Sequence, residues 1–553
     1  MPALLFLLAL ASMPLGAQET DAGSMQDTLA VEAVAPDFTA SIARLGGGNF
    51  SERREAAIAI ADSGDERSLN VLTALLEGRL YTASAIDAEA EDAPPRVLLA
   101  ESDADDAPLR DILNNESAGT LAEVETRRIP LNNALRGTLR NLIARLSLAD
   151  ANPAVRLDAA KRLLAAGTAP ELAPLLRERL DAETDDRVRD ALALVLALAE
   201  TNDEAVEVRA AAVEVLSGAL DPEVRARLAE LMENDAEPAV QRAARDALDS
   251  IQTRIEFYRF AENLFFGLSL GSVLLLAAIG LAITFGVMGV INMAHGELIM
   301  IGAYTTWVVQ QWMPNHIEWS VLVAIPAAFL VAGLVGVAIE RGVIRFLYGR
   351  PLETLLATFG ISLILQQAVR SIFSPLNRAV STPSWMSGSL EINPVLSITW
   401  NRLYVLIFAL IVFAALLAVL KKTSLGLKVR AVSQNRAMAR ACGVRADWVD
   451  AMTFGLGAGI AGVAGVALSQ LTNVGPNLGQ AYIIDSFMVV VFGGVGNLWG
   501  TLVGAMGLGV VNKFLEPWSG AVLAKILVLV LLILFIQKRP RGLFPQKGRA
   551  AEG

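Results

Sequence analysis

Cysteine and histidine are almost missing from this chain. Cys442 is the single cysteine among 553 residues, so no disulfide can form within the chain and its folded parts must hold by packing. Two histidines are present, His295 and His316, both after residue 260, which leaves a serine–histidine pair or a zinc site unsupported in the first half. No G-x-x-x-x-G-K-[ST] occurs, so the chain cannot itself cradle the phosphates of ATP. Charge is scarce within the apolar runs, where Asp485 stands almost alone. A proton-driven carrier, which needs an embedded acid–base relay, fits poorly.

What is present divides into two regimes. Hydrophobic residues make up 54% of the chain, but the long apolar runs begin near residue 260, whereas 18–252 mixes Ala, Leu, Glu, Asp and Arg. Charge divides at the same place, with about +10 after residue 262 and about −21 before it. An acidic soluble half repels nucleic acid and anionic lipid at long range, so no nucleic-acid partner is expected.

The opening MPALLFLLALASMPLGA predicts a signal peptide over 1–17, cleaved after Ala17, with an uncleaved helix as the alternative; either one exports the residues from Gln18 onward. Within 18–258, SERREAAIAIA from Ser51, NPAVRLDAAKRLL from Asn152, DRVRDALALVL from Asp186, AVEVRAAAVEVL from Ala205 and EPAVQRAARDAL from Glu237 share one rhythm, a polar or Pro-containing start followed by apolar residues at helical spacing. This resembles HEAT-like paired helices stacked as an α-solenoid; the alternative is a nonrepeating Ala-rich bundle. The acidic, Pro-containing stretch 84–128 reads as a long loop or poorly ordered insertion.

From 259 to 545, apolar windows near 264–288, 294–312, 319–340, 352–373, 402–420, 450–471, 482–495, 500–515 and 521–537 predict eight or nine membrane spans, with 482–515 either crossing twice or dipping and returning. The whole is therefore expected to be all-α: a polytopic bundle preceded by an exported solenoid. Basic clusters at 340–351, 421–445 and 537–549 lie an even number of spans apart, which places all three, and the tail 546–553, in the cytoplasm. Counting back three spans puts residue 260 outside, where the signal also puts it. Gly- and Ala-rich runs such as GLGAGIAGVAGVA (455–467) suit close helix contact.

The cytoplasmic loop SQNRAMARACGVRADW (433–448) raises a sharper question. Asn435 suits an N-cap, Arg436 to Cys442 a helix of about two turns, and Gly443 a left-handed C-cap. So short a helix must dock on something. It is either a handle for a separate cytoplasmic motor, with Asn435, Arg436, Arg440 and Gly443 at the contact, or a basic loop that obeys charge topology and touches anionic lipid. Polar residues within spans mark a pathway or a helix contact. The path candidates are Asn292, Thr354, Thr358, Gln366, Gln367, Gln470 and Asp485, the last equally suited to helix positioning. His295 and Glu297 sit near the membrane border, where local hydrogen bonding or subunit contact is favoured over transport chemistry.

Four stretches carry a family resemblance. GLKVRAVSQNRAMARACGV (426–444) resembles the coupling-helix loop of permeases in the branched-chain amino acid ABC importer family, and FGVMGVINMAHGELIMIGAY (285–304), with His295, Gly296 and Glu297, resembles its first signature. VVVFGGVGNLWGTLVGA (489–505), with Gly493, Gly494 and Gly496, resembles its late Gly-rich signature, and RPRGLF (539–544) its C-terminal ending. A signal and a large exported extension resemble the urea-type branch of that family. The resemblance implies a nonenzymatic permease subunit that works by alternating access, with urea as cargo, or else branched-chain or other amino acids. It also implies a second related permease, two cytoplasmic ATPase subunits and a periplasmic substrate-binding protein, with ATP acting only through those partners and no cofactor or metal bound directly. A membrane-anchored repeat scaffold is the reading from another class, and the four ordered signatures argue against it.

Overall fold

A computed structural model describes residues 37–83, 96–102, 104, 107–167 and 170–544. The signal-like segment 1–17 and the tail 546–553 lie outside the described residues. The chain divides into two compact units, Met1–Asp203 and Glu204–Gly553.

In the first unit, α1 (Phe38–Gly47), α2 (Phe50–Asp62) and α3 (Ser68–Glu77) precede a sheet, followed by α4 (Asn133–Leu148), α5 (Pro153–Ala166), α6 (Ala173–Ala182) and α7 (Asp186–Glu200). Helix α2 begins with a reciprocal cap in which Asn49 accepts from the Glu52 N–H while the Glu52 carboxylate accepts from the Asn49 N–H. Leu45, Ile60, Leu72, Leu75, Leu135 and Leu139 close the core between the helices. Strands β1 (Leu80–Ala83), β2 (Arg96–Ala100), β3 (Pro108–Asp111), β4 (Ser117–Thr120) and β5 (Thr126–Arg128) pair antiparallel in the order β4-β3-β2-β1-β5. Two expectations are corrected here. The unit is not all-α, and the part of 84–128 that the structure describes is not a loop. It folds because alternate residues such as Leu98, Ala100 and Leu109 bury on one face while Leu80 and Val97 join the helical core on the other.

One polar device recurs. Arg156 on α5 forks onto Glu183 (2.8 and 2.7 Å) and reaches back to the carbonyls of Asp150 and Ala151, while Arg189 donates to the Glu183 carbonyl. This fork holds the Glu183 carboxyl down at about 2. In the second unit, which opens with α8 (Val206–Leu216) and α9 (Pro222–Asn234), Arg209 forks in the same way onto Asp235 (2.9 and 3.0 Å) and reaches back to Glu204, while Gln241 donates to the Asp235 carbonyl. Each fork ties one helix to the turn that starts another.

Helix α10 (Pro238–Met288) runs unbroken through residue 260, where the charge changes sign. The apolar bundle continues with α11 (His295–Trp312), α12 (Ile317–Gly342), α13 (Pro351–Phe373), the hairpin β6 (Ser389–Glu391) and β7 (Ser397–Thr399), then α14 (Trp400–Lys422), α15 (Ser424–Gln434), α16 (Arg436–Ala441), α17 (Ala446–Ser469), α18 (Leu478–Gly493) and α19 (Leu498–Lys538). Among the described residues, six helices are long and apolar enough to cross a membrane, fewer than the eight or nine expected. The difference has three sources. His295, Glu297 and Gln310 dilute α11. Helix α18, at 16 residues, spans only about 24 Å. The windows 500–515 and 521–537 count once because α19 covers both, but its backbone leaves helical geometry at Gly520 (φ 75°, ψ 161°), so a separate helix lies on either side, as the two windows predict.

Helices α10 and α17 form the centre, with 83% and 89% of their apolar windows buried, against 17–28% for α12, α13, α14 and α19. Glycine permits this. A Cβ at Gly302 on α11 would collide with the Gly462 carbonyl of α17, and one at Gly280 on α10 with the Gly457 carbonyl.

Candidate functional site

The loop between α14 and α17 folds as expected locally. Asn435 accepts from the Met438 N–H (2.9 Å), satisfying one of the free donors that begin α16. Gly443 ends the helix with φ 83°; its N–H donates to Arg440 and that of Val444 to Ala439. The two-turn element does not stand alone, because Ala439 buries against Val429, Val432, Ala446 and Val449.

Its arginines divide by role. Arg436 turns inward and places one guanidinium nitrogen 2.6 and 2.7 Å from the two carboxylate oxygens of Asp450 on α17, with its plane 3.7 Å over the Tyr348 ring. Asp450 is buried, so this pair locks α16 to a central helix and to the turn before α13. Arg436 is therefore an anchor and not a protruding contact. Arg440 faces outward and, among the described residues, pairs with exposed Asp447 (2.8 Å), a weak link. Met438 and Cys442 are exposed beside it.

A second polar assembly lies between α13 and the segment that leads into α11. Thr354, Thr358, Ser362 and Gln366 recur every four residues on α13 and are all buried, whereas Leu352, Leu356, Ile364 and Ile372 on its other sides are exposed. The Thr358 hydroxyl accepts from the Met293 N–H (3.1 Å) and donates to the Thr354 carbonyl (2.9 Å). Thr354 caps inward onto the Arg350 carbonyl (2.8 Å). Oε1 of Glu297 accepts from Ser362 Oγ (3.0 Å) and Gln366 Nε2 (2.7 Å). Asn292 bonds locally, its Oδ1 accepting from the Ala294 N–H (3.0 Å). The assembly thus brings Thr354, Thr358 and Gln366 together with buried Glu297, whose bonds to Ser362 and Gln366 are side-chain contacts within the bundle, while Asn292 lies in the segment whose backbone bonds Thr358. Sequence reasoning passes over Ser362; its place in the four-residue ladder is the signal that finds it.

The remaining candidates lie elsewhere. Gln367 is exposed, because one residue turns the helix about 100° away from the Gln366 face. Gln470 is buried at the end of α17 beside Ser469 and outside this assembly. Asp485 on α18 pairs with Lys525 of α19 (3.3 Å), a helix-positioning contact. His295 donates from Nε2 to the Ala277 carbonyl of α10 (2.9 Å), and Gly296 packs against Gly479. Gly493, Gly494 and Gly496 build a crowded turn: a Cβ at Gly493 would meet the Gly500 carbonyl, and φ is 103° at Gly494 and 79° at Gly496. The C-terminal segment lies back on this turn, with Leu543 and Phe544 donating to the carbonyls of Phe492 and Gly493.

Six apolar helices of membrane-spanning length, a buried polar seam and a docked helix between them fit the class of membrane transport subunits. Residues 263–536 match the family described as branched-chain amino acid transport system / permease component. The high-affinity branched-chain amino acid transport system permease protein BraD of Pseudomonas aeruginosa is 30% identical over 297 residues, 52% of this chain and 96% of that protein. The corresponding LivH of Escherichia coli (strain K12) is 31% identical over 299 residues, with the same coverage. The ribose import permease protein RbsC of the same organism is 28% identical over 292 residues, 50% of this chain and 86% of that protein. No solved structure matches. The chain belongs to the branched-chain amino acid permease family and is the permease component of an ABC transporter.

Proposed function

We propose that this permease imports a small polar solute by alternating access, driven by separate ATPase subunits that press on the 424–445 loop. The observation that carries this reading is the docked helix α16, locked by Arg436 and Asp450 to a central helix of the bundle, so that a push on the loop reaches α17. ATP is used by the partners, which in this reading comprise two ATPases, a second related permease and an exported substrate-binding protein; this chain binds no cofactor. The basic clusters support a cytoplasmic position for the loop, and, with α11 counted as a crossing, they support an exported N-terminal half. The paired Arg–carboxylate forks support helical repeats in that half, a surface suited to protein partners.

For cargo, the relatives' names favour a branched-chain amino acid. Urea is the second reading. It is supported by the extension, about half of this chain, that lies outside the match, and by a seam made mostly of neutral hydroxyls and amides that suit a small neutral solute. Uptake of labelled leucine and labelled urea into vesicles, with and without the ATPase partners, tests both. Leucine uptake that requires the ATPases is expected; urea uptake that requires them selects the second reading, and uptake of either without them refutes the mechanism.

A further inference from the structure

Between α10 and α11 the chain is not helical over 289–294, within the apolar part of the molecule. Irregular backbone between apolar helices persists where it is buried in protein, and broken helices are where transporters place binding groups. Asn292 lies within this break and Glu297 in the first turn of α11 that follows it, each 1% exposed. Their hydrogen bonds leave a remainder. Oε1 of Glu297 takes two donors, from Ser362 and Gln366, while Oε2, equally buried, has no partner among the described residues. Oδ1 of Asn292 is used by Ala294, while Nδ2 has no partner among the described residues. Buried polar atoms are nearly always paired, so an unpaired acceptor on Glu297, whose other oxygen the α13 ladder holds, and an unpaired donor on Asn292, whose neighbours Ile291 and Met293 bond Thr358 of that ladder, mark groups that a ligand completes.

Resting on the transport reading above, we propose that Glu297 and Asn292 recognise the cargo as it passes between α11 and α13. Oε2 of Glu297 accepts an N–H of the solute and Nδ2 of Asn292 donates to its carbonyl or carboxylate oxygen. The ligand class is a small solute carrying both groups, which the head of an α-amino acid and urea share. Ser362 and Gln366 are positioning residues, since they fix Oε1 and so aim Oε2.

The test is Glu297→Gln in the assembled complex with its ATPases and binding protein in proteoliposomes. Glutamine keeps an oxygen for Ser362 and Gln366 but presents N–H where Oε2 accepted. Cargo moved per ATP hydrolysed is expected to fall at least tenfold while hydrolysis stimulated by loaded binding protein stays within twofold of wild type. Asn292→Ser is read in the same way and is expected to show the same uncoupling. Uptake unchanged in Glu297→Gln, or uptake and hydrolysis falling together as for a merely structural residue, overturns the assignment. So does failure of both variants to assemble. Wild-type complex that shows no ATP-dependent uptake instead removes the transport reading itself.

Discussion

Gly302→Val is expected to abolish accumulation of folded protein. The added side chain would stand against the backbone carbonyl of Gly462, in the contact between α11 and the central helix α17. A flexible side chain could swing aside, but a helical backbone cannot move without separating the two helices. Overpacking in a tight core costs about 1–3 kcal/mol even where side chains can adjust, and here the obstacle is backbone on both sides, because Gly462 itself abuts the Ala328 carbonyl of α12. The measurement is the yield of monodisperse protein in detergent. Gly507→Ala is the control, since nothing lies within 4 Å of a Cβ there; it is expected to accumulate at wild-type level. Normal yield and melting of Gly302→Val would refute the close-packed centre.

Arg436→Glu is expected to abolish ATP-driven uptake while the protein remains in the membrane. Removing one partner of a buried pair costs about 3–5 kcal/mol, and the new carboxylate would sit against buried Asp450, adding repulsion. The spans are held by contacts elsewhere, so the damage falls on the lock between α16 and α17. Exchanging the charges, Arg436→Asp with Asp450→Arg, is expected to restore part of the uptake, a coupling that a residue acting only at an external surface would not show. Gly443→Pro should mimic the loss, because φ of 83° is closed to proline and the N–H that donates to Arg440 disappears. Wild-type uptake in Arg436→Glu would remove the lock from the mechanism.

How much of this could be read from the sequence depends on how local the physics is. The cap at Asn435 and the turn at Gly443 were legible because capping uses residues three or four apart. Asp450 and Tyr348 were not, since they meet Arg436 only through the fold, and Arg436 was consequently expected to face outward. Three of the four α13 ladder residues were found as polar groups in a span, but adjacent Gln366 and Gln367 could not be told apart without knowing which side of the helix is buried. For Asp485, sequence left helix positioning and path lining open, and its partner Lys525 comes from α19, 40 residues away. The strands around Leu98 and Leu109 were hidden because alternation over three to five residues is weak among so many acidic residues. The break at Gly520 falls between the two windows read there, whereas the windows over α11 and α18 met polar dilution and short length that an apolar run does not reveal. Cargo identity depends on a few atoms in a seam, and no spacing rule encodes it.

The central claim is that separate ATPases act on the small helix between α15 and α17. Nature has supplied its probe, for Cys442 is the chain's single cysteine and is exposed at the end of that helix. Labelling by a membrane-impermeant maleimide, in inside-out and right-side-out vesicles and with or without the ATPases, tests the claim directly. We expect labelling in inside-out vesicles only, and protection when the ATPases are bound. Labelling from the outer face, or labelling that the ATPases leave unchanged, would contradict the account.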